Sequence, residues 1–301
     1  MRIFVLGMHR SGTSLMVRTL EAMGFWAGAE ADFHPPTAHD PQGHREHVAV
    51  HALDETALKW IDRSWEEPVG IDWARLTPAR RADLLGAMRT VVEQLDAHPD
   101  WVAKDPRLCL TLPLWRDVVE PACIFMHRNP LEVARSLAAR DGMPLFAGIA
   151  MWEAYSRAGL GNSHGLARLI IDHGDLIREP AATTQQLEHW WRDQRATTPA
   201  GGAAPEPTPA LVRQRAAAVE AERMLNPAQQ RLLAAIQLAC AGGDEGAAAL
   251  ADAMAEPLSE QAEEIVTVLA AHRRRLEAMH ERDIKISRYN EQLRQRVGDE
   301  P

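Results

Sequence analysis

"RIFVLGMHRSGTSL" (residues 2–15) sets an apolar run, a glycine-rich turn and the hydroxyls of a helix start in direct succession. Residues 2–6 read as a buried strand and residues 13–23 as the helix that follows it. Between them, the backbone amides of "HRSGTS" (9–14) converge on the N-terminus of that helix, where the macrodipole favours negative charge. The turn matches the nucleotide-binding pattern G-x-x-x-x-G-K-[ST] at Gly7, Gly12 and Ser14, but Thr13 stands where the lysine belongs. Arg10 supplies the missing positive charge. Its planar fork suits a tetrahedral anion, and Thr13 and Ser14 add hydroxyl donors. The stretch therefore predicts a strand–loop–helix oxyanion site in an α/β fold of P-loop type.

The alternation continues outward from this loop. "WVAK" (101–104), "ACIFMH" (122–127) and "ARLIID" (167–172) are short buried-strand patterns. Helical spacing covers residues 44–62 and 78–97, the second opened by Thr77 as N-cap and Pro78 at the first helical position. "NPLEVARSLAARDG" (129–142) begins with Asn129 as N-cap and Pro130 at its first turn, and ends at Gly142. Strands alternating with helices predict a central parallel sheet flanked by helices on both faces.

After Arg195 the character changes. "ATTPAGGAAPEPTPA" (196–210) has no apolar period and reads as a linker or exposed loop between an α/β domain (1–195) and a helical extension (211–301). From Leu258 an apolar 4-3 spacing runs through Ala262, Ile265, Leu269, His272, Leu276, Met279, Asp283, Ile286, Asn290 and Leu293 to Val297. This heptad seam (258–297) predicts a long terminal helix that either lies back on its own core or assembles, as a coiled-coil homodimer, with polar His272, Asp283 and Asn290 marking its register.

The 301 residues carry a net charge of −9, which argues against broad electrostatic binding of nucleic acid. Any anion site must be a local cluster of arginine and lysine. Cys109, Cys123 and Cys240 match no metal or C-x-x-C spacing and suggest a reducing compartment. With no signal-peptide pattern and no membrane-length apolar run, the expectation is a soluble, cytoplasmic protein without a membrane span.

A second element narrows the ligand. "FMHRNPLEVARSL" places Arg128 just past a strand end and Ser136 two turns into the next helix, a gap of roughly 12 Å at about 1.5 Å per residue. Both groups can then reach one phosphate over that helix start. Together the elements resemble the sulfotransferase superfamily, which uses 3′-phosphoadenosine-5′-phosphosulfate (PAPS). "HRSGTSL" is similar to its 5′-phosphosulfate loop, the Arg128 segment to its motif R-[ND]-P-x-[DE]-x-x-x-S, and "WVAKDPRLCLTLPLW" (101–115) to a stretch of bacterial members. The resemblance covers roughly residues 1–195. It implies that Arg10, Ser11, Gly12, Thr13 and Ser14 hold the phosphosulfate, that Arg128 and Ser136 hold the 3′-phosphate, and that no metal is required.

Sulfuryl transfer needs an activated nucleophile and cationic donors on the sulfonate and the departing phosphate. Arg10 and Lys104 suit the cationic role. Pro106 stands near where many cytosolic sulfotransferases carry a catalytic histidine, so the base comes from elsewhere. The resemblance of "DPQGHREHVAVHALDETAL" (40–58) to bacterial homologues nominates Glu46, with Glu30 as the fallback. His44, His47 and His51 fall on one face of the predicted helix but lack a fourth ligand for a metal and equally line an acceptor cleft. Asp172 imitates a Walker B aspartate but reads as a structural strand end, and Trp190 and Trp191 read as core, although one aromatic near the loop could stack on adenine. The sequence thus points to a sulfotransferase acting on a hydroxyl of a carbohydrate or small metabolite. A P-loop small-molecule kinase, or a non-catalytic nucleotide-binding scaffold assembling through its terminal helix, are the alternatives.

Overall fold

Side-chain alternation along the first strand decides which face each residue serves. The computed structural model describes residues 1–35, 43–195 and 223–298. In β1 (Arg2–Leu6), Ile3 and Val5 join Met16, Val17 and Leu20 of α1 (Thr13–Ala22) in one core cluster. Phe4 and Leu6 join Trp101, Trp115 and Phe125 in the other. All four strand residues are buried, as a strand covered on both faces requires.

β1 pairs in parallel with β2 (Trp101–Lys104) on one side and β3 (Ala122–His127) on the other. β4 (Arg168–Asp172) pairs with β3 and completes the order β2-β1-β3-β4. The register sets Val5 beside both Lys104 and Ile124, so the strands finish at one edge. Strand order reverses between β1 and β3, the place where α/β sheets open a ligand crevice at their carboxyl ends.

Helices cover both faces: α2 (Val48–Trp60), α3 (Pro78–Leu95), α4 (Leu108–Trp115), α5 (Pro130–Asp141), α6 (Leu145–Asn162), α7 (His173–Arg178) and α8 (Pro180–Arg195). The expected caps form. Thr77 Oγ1 accepts from the Arg80 amide, and Asn129 Oδ1 accepts from the amides of Leu131 and Glu132. The helix expected over 44–62 starts only at Val48. Gly43 (φ 82°) and Arg45 (φ 50°) are left-handed, and the His47 Nδ1 caps by accepting from the Ala49 amide. His44 therefore precedes the helix, His47 caps it and only His51 lies on it, so the three histidines do not share a helical face. Trp191 packs on Phe25 at 5.3 Å between ring centroids, and Trp190 lies partly buried against the same cluster, as core residues.

The linker expected over 196–210 lies outside the described residues. Beyond it, α9 (Pro227–Ala241), α10 (Gly243–Ala255) and α11 (Glu260–Gly298) follow. Leu232, Ile236 and Leu250 belong to the same cluster as Phe4 and Trp152. α11 lies along α6 and buries Ala262, Val266 and Ala270, then leaves the body: from Ala271 to Arg288 every side chain is exposed. Among the described residues no helix is long and apolar enough to cross a membrane.

A buried carboxylate fixes where this helix begins. Glu153, wholly inaccessible on α6, accepts from the Ser259 amide (2.9 Å), the Ser259 hydroxyl (2.6 Å) and Arg157 Nε (3.1 Å). Arg157 in turn donates to the carbonyls of Ala253 and Glu256. Glu153→Ala strands a buried guanidinium and should cost about 3–5 kcal/mol, read as a lower urea midpoint at unchanged m-value. Glu153→Gln, which keeps an acceptor for Ser259, should lose less.

Candidate active site

Polar groups from four strand ends gather at the carboxyl edge of the sheet. The loop after β1 turns through two left-handed residues, Arg10 (φ 70°) and Gly12 (φ 83°), with the Ser11 amide donating to the Met8 carbonyl. A Cβ on Gly12 would stand 2.1 Å from Cδ2 of His173, the residue directly after β4. Glycine is therefore required twice there, by its dihedral and by the imidazole against it.

On the β3 side of the loop, Arg10, expected on the phosphosulfate, meets Arg128 and Ser136, expected on the 3′-phosphate. Arg10 Nε donates to Ser136 Oγ at 2.9 Å, and Arg128 Nη1 donates to the Arg10 carbonyl at 2.8 Å. Glu132, one turn into α5, holds Arg128 through Nε at 3.0 Å. Two guanidinium-bearing residues and a hydroxyl from three separate elements thus form one cluster.

On the β2 side stands Lys104, 2% exposed. Its ammonium donates to the His44 carbonyl at 2.6 Å and to Glu46 Oε1 at 2.9 Å. Ser14 Oγ donates to that same carbonyl at 2.7 Å, and Arg18 donates to the Gly43 carbonyl at 2.8 Å. Glu46 and Lys104 are therefore brought together beside the loop. Glu30 is not: its 82%-exposed side chain pairs with Arg45. Asp172 serves as N-cap of α7, accepting from the amides of Gly174 and Asp175.

A network that the sequence reading missed lies behind Lys104. Asp105 accepts from His51 Nδ1 (2.9 Å), the Arg107 amide (2.8 Å) and the Arg107 guanidinium (3.2 Å), and Arg107 also pairs with Glu55. Burial by itself would raise the Asp105 carboxyl, but the His51 hydrogen bond and the Arg107 charge outweigh it and hold it well below its ordinary range. Asp54 goes the other way. Burial and the charge of Asp105 push it well up, against donors from Trp115 and Thr111. The available signal was a pair of opposite charges, Asp105 and Arg107, immediately after a fully buried strand, with His51 and Glu55 four apart on a helix. Glu46, His51 and Asp105 each offer a ligand atom within 4.8 Å of the others. Two of the three are already ion-paired, Glu46 to Lys104 and Asp105 to Arg107.

The profile of the sulfotransferase family matches residues 2–192. A search of curated proteins finds no match. Among solved structures, a sulfotransferase domain from the curacin biosynthetic pathway aligns at 16% identity with a TM-score of 0.40, covering 89% of this chain and 96% of its own. A sulfotransferase domain from the Synechococcus PCC 7002 olefin synthase aligns at 16% identity and 0.41, covering 89% and 94%. Likeness at that level assigns no residue.

The histidines under the loop are kept neutral by their surroundings. Burial lowers His127 to about 4; burial and then the Arg128 charge lower His173 to about 3. Because both folded values lie below the ordinary 6.5, the unfolded chain takes up protons that the native state refuses. Stability should therefore be full above pH 7 and fall as pH drops through 6.5 toward 4, by on the order of 2 kcal/mol per histidine at pH 5. Urea unfolding at pH 7.5 and pH 5 measures the fall, and His173→Gln should remove a large part of it.

Proposed function

Because the chain belongs to the sulfotransferase family, we propose that it transfers a sulfuryl group from PAPS to a hydroxyl of a carbohydrate or small metabolite. The observation that carries this reading is the Arg10–Ser136–Arg128 cluster beside a left-handed, glycine-dependent loop. In this scheme Arg10, Ser11, Gly12, Thr13 and Ser14 hold the 5′-phosphosulfate, and Arg128 and Ser136 hold the 3′-phosphate. Charge-assisted donors on both ends of the nucleotide distinguish it from its monophosphate relatives.

Lys104, at the reacting end, stabilises negative charge on the sulfonate and on the phosphate that departs. Glu46, ion-paired to Lys104, takes the acceptor's proton. The acceptor oxygen bonds to sulfur, the sulfur–oxygen bond to the phosphate breaks, and 3′,5′-bisphosphoadenosine (PAP) is released. A P-loop kinase is the weaker reading: Thr13 replaces the phosphate-binding lysine, and Asp172 spends one carboxylate oxygen capping α7.

PAP should bind without added metal and raise the melting temperature, a few kcal/mol at micromolar affinity with excess ligand. A response to ATP with Mg²⁺ and none to PAP would overturn the proposal. Arg128→Ala should weaken PAP far more than adenosine 5′-phosphosulfate, which lacks the 3′-phosphate, by about 1.5–3 kcal/mol in calorimetry.

Glu46→Gln should retain PAP binding and slow sulfuryl transfer by roughly 10²-fold or more, measured as radiolabelled sulfate leaving PAPS. Full turnover in Glu46→Gln, with loss in Glu30→Gln, would move the base to Glu30.

A further inference from the structure

The far part of α11 carries an apolar stripe that none of the described residues covers. Leu276, Met279 and Ile286 are 51%, 54% and 47% exposed and occupy successive seam positions, with Asp283 set between the last two. Upstream the helix is anchored, through Ala262, Val266 and Ala270 against the body and through ion pairs from Arg273 to Glu66 and Arg274 to Glu67. The stripe is thus held out past the last anchored turn. A strict a/d stripe of this width is a coiled-coil seam and too narrow for a helix lying on its own core.

The charges beside the stripe select what covers it. At about 100° per residue, Arg275 and Arg282 line one side of the seam; the other carries His280 and Arg273, the latter paired with Glu66 and Glu277. The acidic residues Glu277 and Glu281 fall on the outer half of the helix. An antiparallel second copy would set the Arg275 and Arg282 side against itself, and a parallel, in-register pair would face Asp283 with Asp283. An anionic membrane would have to take Asp283 within the buried face of a stripe only two residues wide. A separate helix with acidic flanks meets no like charge at the rim and can set a basic or polar residue opposite Asp283.

We infer that residues 275–288 are a docking surface for an amphipathic helix of another protein, apolar along its seam but for a polar or basic residue opposite Asp283, and rich in Asp and Glu on the side that meets Arg275 and Arg282. This sets aside the homodimer expected from the heptad pattern alone. The inference stands on the tail and does not depend on the reaction proposed above.

Two synthetic peptides of heptad design, with the same Leu/Ile seam broken by one Asn opposite Asp283 and either Glu or Lys at the flanking positions, test it on the full chain. The Glu peptide should bind at least about tenfold more tightly than the Lys peptide, lose affinity with added salt, and reverse its preference in the Arg275→Glu/Arg282→Glu variant. Unchanged helical ellipticity and unchanged thermal unfolding of that variant show that its fold is intact. Equal affinity for the two peptides, or binding of neither, would overturn the inference. So would a concentration-dependent dimer of the full chain in sedimentation, or co-sedimentation with phosphatidylserine vesicles in preference to the Glu peptide.

Discussion

Parallel pairing of β1 between β2 and β3 is the constraint on which the site depends. Because the strands run the same way and finish together, the loop after β1, Lys104 at the end of β2, Arg128 after β3 and His173 after β4 arrive at one edge. None of these residues is near another in sequence. Slipping β1 by one residue would move Phe4 and Leu6 to the face that Ile3 and Val5 fill, which the two core clusters forbid. The register of a buried strand thereby fixes where the donors stand.

Buried charge does the finer positioning. Asp105 and Arg107 tie the end of β2 to His51 and Glu55 on α2, and Glu153 and Arg157 tie α6 to the start of α11. Such pairs add little net stability over well-packed apolar side chains, but breaking one is expensive, so each specifies a single arrangement. In this chain one pair steadies the carboxyl edge of the sheet and the other the exit of the tail.

How much of this was legible depended on whether the signal was local. The strand–loop–helix at residues 2–22 and the capped helix after Asn129 follow from adjacent residues, and they came out as read. Arg128 and Ser136 were singled out through a resemblance, which carries information about distant pairs, and the structure sets both beside Arg10. α4 was not legible: Leu108–Leu112 and Leu114–Trp115 are buried all round, which erases the amphipathic period, and Pro113 sits inside it. α6 was hidden for the same reason, and its Gly148 lets α5 approach so closely that a Cβ would stand 2.6 Å from Ala134 Cα. The three-histidine face failed on two left-handed residues, Gly43 and Arg45; a periodicity count registers neither. Asp105 and Arg107 are visible in the sequence as charges, but their partners on α2 lie about fifty residues away.

The carbonyl of His44 receives two donors, the Ser14 hydroxyl and the Lys104 ammonium, at 2.7 and 2.6 Å. Under the proposed scheme, that peptide oxygen is the acceptor with which a phosphosulfate oxygen competes. An oxyanion that reaches these two groups replaces one acceptor by another, so the count of hydrogen bonds stays level and only the difference between acceptors is gained. A full negative charge outcompetes the partial charge of a carbonyl; a neutral ester or alcohol does not. On that scheme, selectivity for charge arises from a competitor within the chain itself.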